Sequence, residues 1–363
     1  MKFPTRLCMN QPIKRALRTS LIAGALALTG MNTCLYAAPV TDALDRPAVV
    51  TERGAHSVLL GGAMAGKRIV VVGERGLILF SDDKGMHWQQ GRVPVSVTLT
   101  AVRFANDTTG YAIGHAGTVL KSTDAGESWQ KLLDGKQVAQ MALEQAKAGG
   151  EETAILMAER LVADGPDKPM LDLLVDGPDD LSVVGAYGVA LRSEDGGETW
   201  HSWQDRLGND FGMHQYAIRR NGGRVLIAGE QGLIRLSLDG GRLFKELEPP
   251  YEGSYFAAEL LGSDEILLAG LRGNVWHSSD NGSTWQQLDT PVDASITAVL
   301  ARPDGSVLMV NQAGMVMEVR NGALVRLPVP PMPPLTNILA TDTGELLALS
   351  VQGVFKVDLG DKK

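Results

Sequence analysis

The sequence predicts an all-β fold, a seven-bladed β-propeller of four-stranded blades with a short helical insertion. Three observations predict it. A motif recurs along the chain at a spacing near 41 residues, short runs alternate apolar and polar residues, and 42 glycines and 17 prolines punctuate the runs. A repeat of that period with several short strands per unit is the mark of a propeller, commonly of 4–8 blades.

The copies align without gaps in Val71–Trp88 (VVGERGLILFSDDKGMHW), Ala112–Trp129 (AIGHAGTVLKSTDAGESW), Val183–Trp200 (VVGAYGVALRSEDGGETW), Ile227–Phe244 (IAGEQGLIRLSLDGGRLF) and Leu268–Trp285 (LAGLRGNVWHSSDNGSTW). Their glycines Gly73, Gly114, Gly185, Gly229 and Gly270 are offset by 41, 71, 44 and 41 residues. Two worn copies, starting at Asn311 and Ser350, make seven.

Within a unit, an alternating stretch such as Leu99–Ala105 supplies a first strand and the run into Gly-x-x-Gly a second. The glycines imply a tight turn with unusual dihedrals. A third strand such as Thr118–Ser122 follows, and Ser-x-Asp-x-Gly then closes a hairpin, its Asp accepting bonds from turn amides. The terminal Trp opens a fourth strand and packs back over the hairpin. Asp83, Asp124, Asp195, Asp239 and Asp280 are therefore structural, as are Trp88, Trp129, Trp200 and Trp285, whereas Trp203 and Trp276 fall outside the register.

The last copy stops where a fourth strand should begin. The segment Asp45–Arg53 is expected to supply that outer strand and protect the sheet edge. The offset of 71 hides an insertion at about residues 136–166. Its Ala-, Leu-, Met- and Glu-rich halves, split by Gly149-Gly150, predict a helical hairpin.

Residues 1–38 have the pattern of a signal peptide: five basic residues, the short apolar run Leu21–Gly30, and small residues to a cleavage point near Ala37 or Ala38. The apolar run falls short of the ~20 residues of a spanning helix. Residues 39–363 would then be the propeller, outside the cytoplasm in a periplasm or otherwise secreted, without stable membrane insertion. Both cysteines, Cys8 and Cys34, lie in the leader, so no disulfide is expected in the mature domain. Without the leader's five basic residues, 29 basic residues stand against 42 acidic ones, a net charge of −13. Such a domain is not expected to bind nucleic acid, which needs clustered Lys and Arg.

The Ser-x-Asp-x-Gly-x-x-Trp signature resembles the BNR/Asp-box repeat of sialidases, sortilin-like receptors and many secreted propellers. The leader, seven units and helical insertion together resemble the photosystem II stability/assembly factor family, over about residues 55–359. Members assist assembly of a membrane-protein complex, and non-photosynthetic bacteria carry relatives. The resemblance implies a non-catalytic protein binding a membrane-associated protein partner.

The residues point the same way. One Asp per blade cannot form a glycosidase pair, whose carboxylates stand ~5–10 Å apart. The six histidines lack metal-ligand spacing, and each Gly-x-x-Gly lies between two strands, not ahead of a helix. No catalytic residue, cofactor or metal is expected. The alternative is a carbohydrate-active protein, a sialidase-like glycoside hydrolase or a lectin, on the strength of the Asp boxes alone. Because successive turns of a meander alternate sides, the Gly-x-x-Gly turns should ring the face opposite the Asp boxes. That face would present Glu74, Arg75, His115, Tyr187, Glu230, Gln231, Leu271, Arg272, Gln312 and Gln352, with the helical hairpin beside them, as a partner-docking surface.

Overall fold

A computed structural model describes residues 41–359; the leader and its cleavage point lie outside them. The described chain forms seven antiparallel meanders, six of four strands and a last one of three. Blade 1 runs Leu59–Ala65, Arg68–Gly73, Ile78–Ser81 and Gln89–Gln90, and the others repeat it. The second strand of every blade is almost wholly apolar and buried, because its two faces pack against the two neighbouring blades. The fourth strand of blades 1, 3, 4 and 5 shortens to two residues at the solvent-facing rim.

The apolar core is divided into seven clusters, each lying between one blade and the next. The cluster between blades 7 and 1 joins Leu339, Leu347 and Leu349 to Leu59, Ile69 and Val71. There Thr336 Oγ1 donates to the Leu59 carbonyl, and Asn337 Nδ2 donates to the Leu60 carbonyl at 3.1 Å. Side-chain packing and these bonds close the ring.

This corrects the expected strand exchange. Residues 45–53 join no sheet, and the seventh blade ends on its third strand, Gly353–Val357. The segment instead straps blade 1 to blade 2. Leu44 is buried with Val93, Val95 and Val97, the Ala48 amide donates to the Val93 carbonyl, and Thr51 and Val49 bond to the Gln90 side chain. An apolar anchor at Leu44 outweighs edge pairing by a stretch that contains Pro47, which has no amide hydrogen to donate.

The insertion is the expected hairpin, α1 (Gly135–Gly149) and α2 (Glu152–Asp164). Asp134 caps α1 in a reciprocal box with Gln137, and Gly150 ends it in a left-handed conformation.

Candidate functional site: the upper face and the channel mouth

Each Asp box is a self-satisfied turn. In blade 3, Ser193 Oγ donates to Asp195 Oδ1 at 2.8 Å and accepts the Gly197 amide at 2.8 Å. Asp195 also accepts the Thr199 amide and hydroxyl, and Trp200 Nε1 donates to the Gly197 carbonyl. Blades 1, 2 and 5 repeat the Ser–Asp pattern, and blade 4 keeps it with Phe244 in place of Trp. The hydroxyl and amide of Thr199 and of Thr284 hold Asp195 and Asp280 down at about 2, and the amide and ring of His87 do the same for Asp83. For Asp124, burial pushes upward, but the bonds from Ser128 and Ser122 prevail and lower it. Trp203, out of register, is buried and meets Phe244 edge-on at 5.2 Å.

The Gly-x-x-Gly turns lie on the opposite face, called upper here, since antiparallel pairing puts turns 2–3 and 4–1 together. Their geometry differs from simple glycine turns. The second x residue is itself left-handed, with φ of 54° at Arg75, 56° at Tyr187, 51° at Gln231 and 55° at Arg272. The first glycine is extended, and a Cβ on Gly270 would stand 2.0 Å from the Ser254 carbonyl oxygen. Close backbone approach requires glycine there, because the Leu271 amide donates to that same carbonyl at 2.9 Å. The helical hairpin emerges on this face: a Cβ on Gly117, in the blade 2 turn, would meet Gly135 at the start of α1.

The structure places the predicted docking residues one or two per blade. Arg75, His115, Tyr187, Gln231, Arg272, Gln312 and Gln352 are exposed. Glu74 and Glu230 are half-buried and partly structural, accepting the Val58 and His214 amides at 3.3 and 3.1 Å. Only Tyr187 and Glu230 come together, through His214. The Tyr187 ring centroid lies 4.9 Å from that of His214, and His214 Nδ1 is 4.0 Å from Glu230.

Sequence reasoning missed what continues from there. His214 leads to Tyr216 at 6.1 Å and Tyr216 to Phe256 at 5.2 Å, both pairs edge-to-face. This ladder runs from the blade 3 turn to the mouth of an axial cavity of about 860 Å³ lined by the first strands. Tyr216 and Phe256 occupy a first-strand bulge position that is Thr in blades 2, 6 and 7. There Thr100, Thr297 and Thr336 each donate to a carbonyl of the next blade. Comparing that position across the repeats would have exposed the substitution.

Below the mouth, Asp172 accepts Arg103 at 3.2 Å, Arg219, and the Ile218 and Leu173 amides. Arg219 Nε reaches Glu259 at 3.7 Å. Burial pushes Glu259 up and Arg103 down; burial also opposes the charge on Arg219, but Asp172 and Glu259 hold it above its usual value. The network ties the first strands of blades 2 to 5 together. Among the described residues no group of three or more His, Cys, Asp or Glu could hold a metal, and no helix is long and apolar enough to cross a membrane.

With this geometry in place, sequence comparison decides the family. The family described as photosynthesis system II assembly factor YCF48 matches residues 162–357. The chain belongs to the Ycf48 family. It is 28% identical over 191 residues to the photosystem II assembly protein Ycf48 of Synechococcus sp. (strain JA-3-3Ab), covering 46% of this chain and 55% of that protein. It is 31% identical over 136 residues to the Ycf48 of Synechococcus sp. (strain JA-2-3B'a(2-13)), covering 32% and 40%. The matches thus span about half the length of these relatives. Among solved structures, YCF48 from Cyanidioschyzon merolae superposes with a TM-score of 0.63 at 16% identity, covering 86% of this chain and 98% of that one. YCF48 bound to a D1 peptide gives 0.60 at 13% identity, covering 87% and 100%. These two likenesses establish the propeller fold shared with Ycf48.

Proposed function

We propose that this protein is a non-catalytic propeller that docks a protein partner on its upper face and assists the assembly or action of a membrane-protein complex. Its place is the periplasm or another secreted compartment, after cleavage near Ala37 or Ala38. Membership in the Ycf48 family carries the reading, and a similar solved structure is of a YCF48 with a D1 peptide bound. The upper face supports it, because loops on a rigid scaffold are where binding residues collect. Here the turn residues, the helical hairpin and the aromatic ladder all meet on that face. The leader pattern supports the location. The Asp-box carboxylates lend nothing to a glycosidase reading, since each is engaged by its own turn.

The test is an in-cell crosslinking pull-down with wild type, the upper-face variant Tyr187→Arg/Gln231→Arg and the lower-face variant Leu243→Arg. Arginine fits those left-handed turn positions, as Arg75 and Arg272 show. One envelope protein recovered with wild type and Leu243→Arg, and lost with the upper-face variant, is the expected result. No enriched protein, or turnover of glycosides by the purified protein, overturns the reading.

A further inference from the structure

We propose that the aromatic ladder on blades 3 to 5 is a groove for an extended basic polypeptide, whose Lys or Arg side chains lie against the rings. The proposal rests on the docking function above and names its site and chemistry. Aromatic residues are scarce in this chain, at 5%. Yet every described tyrosine except Tyr111 sits at the upper ends of blades 3 to 5: Tyr187, Tyr216, Tyr251 and Tyr255. Tyr187 is 55% exposed and Phe211, on the adjoining loop, 91%. Tyr251 and Tyr255 pack in the core between blades 4 and 5, but the exposed Tyr187 and Phe211 belong to no core cluster.

Two features select an extended strand. The four rings succeed one another in steps of 4.9, 6.1 and 5.2 Å. Side chains on one face of an extended chain recur every ~6.6 Å, so three alternate residues span it.

Three features select positive charge. Aromatic ring faces attract ammonium and guanidinium groups. The protein already uses this chemistry on the ladder, with Lys168 Nζ 4.7 Å from the Tyr187 ring centroid. The upper-face loops flanking the ladder carry Asp167, Asp205, Asp210, Glu230, Glu248 and Glu252 against Lys168 and Arg206, on a chain of net charge −8. That acidic rim draws basic segments in and turns acidic ones away.

The experiment is isothermal titration of the purified protein at low salt with three capped octapeptides: alternating Lys-Ala, Glu-Ala and Leu-Ser. Only the Lys-Ala peptide is expected to bind. Tyr216→Leu/Phe256→Leu, which keeps apolar volume but removes the rings, should weaken it about tenfold, the scale of two lost cation–π contacts. Glu230→Gln/Glu252→Gln should weaken it a few-fold and flatten its salt dependence, while Leu243→Ala should change nothing. Thermal melts of each variant exclude unfolding, and Tyr187→Ala at the exposed end gives an independent check. No Lys-Ala binding, equal binding by the ring variants, or tighter Leu-Ser binding overturns the groove. If the groove fails while Tyr187→Arg/Gln231→Arg still abolishes capture of an envelope protein, docking stands and only its chemistry is wrong. If capture by wild type fails too, the docking function falls with it.

Discussion

Replacing Leu349 with alanine tests how the ring closes. Leu349 is 0% exposed in the cluster that joins blades 7 and 1. Its Cδ1 stands 3.3 Å from where a Cβ on Gly62 would be, so it lies against bare backbone of blade 1. Truncation removes three carbons, about 2.4 kcal/mol of transfer free energy at ~0.8 kcal/mol each. Gly62 has no side chain to move into the hole, so a cavity term adds to this and brings the expected loss to about 4 kcal/mol. Urea unfolding followed by tryptophan fluorescence reads it as a shifted midpoint at unchanged slope. The control is Val50→Ala in the N-terminal strap. That side chain is 82% exposed, so the change should stay within about 0.5 kcal/mol. Strand exchange would place Val50 in a paired outer strand and make its truncation costly as well. A Leu349→Ala loss below about 1 kcal/mol, or a larger loss for Val50→Ala, would refute closure by packing.

Three further outcomes are expected. Asp83, Asp195 and Asp280 sit at about 2 when folded against 3.8 for a free Asp, so their stabilisation is complete above about pH 5 and drains as pH falls toward 2. Urea midpoints should drop over that window, and Asp195→Asn/Asp280→Asn should flatten the drop; an unchanged profile contradicts the box account. Gly270→Ala should cost about 3 kcal/mol, because its Cβ meets the Ser254 carbonyl and breaks the flanking bonds; a neutral melt contradicts the turn geometry. Asp172→Ala leaves Arg103 and Arg219 without their shared carboxylate, and calorimetric unfolding should show a loss of about 3 kcal/mol; a loss under about 0.5 kcal/mol would make the network ornamental to stability.

The blades were legible because each is specified locally. Ser-x-Asp-x-Gly builds its turn from donors and acceptors within five residues, and the helical hairpin carries its own stop signals at Gly150 and Gly165. The expected span of about 136–166 therefore falls close to the observed helices. What depends on contacts between repeats was not legible. The strap segment has no periodic signal to say which edge it follows, and one buried side chain, Leu44, decides it. Tyr216 and Phe256 lie outside the repeated motif and meet only once two blades stand side by side. The same holds for Arg103, Asp172, Arg219 and Glu259, drawn from four blades into one channel. Glu74 and Glu230, expected on the docking face, also spend part of their hydrogen-bonding capacity on their own scaffold.

The most direct measurement of the central claim places a photo-crosslinking residue at Gln231 on the upper face and, separately, at Leu243 on the Asp-box face, in cells that make the protein. The account predicts one dominant protein adduct from position 231 and none from 243. Adducts of equal yield from both positions, or an adduct from 243 alone, would contradict docking through the upper face.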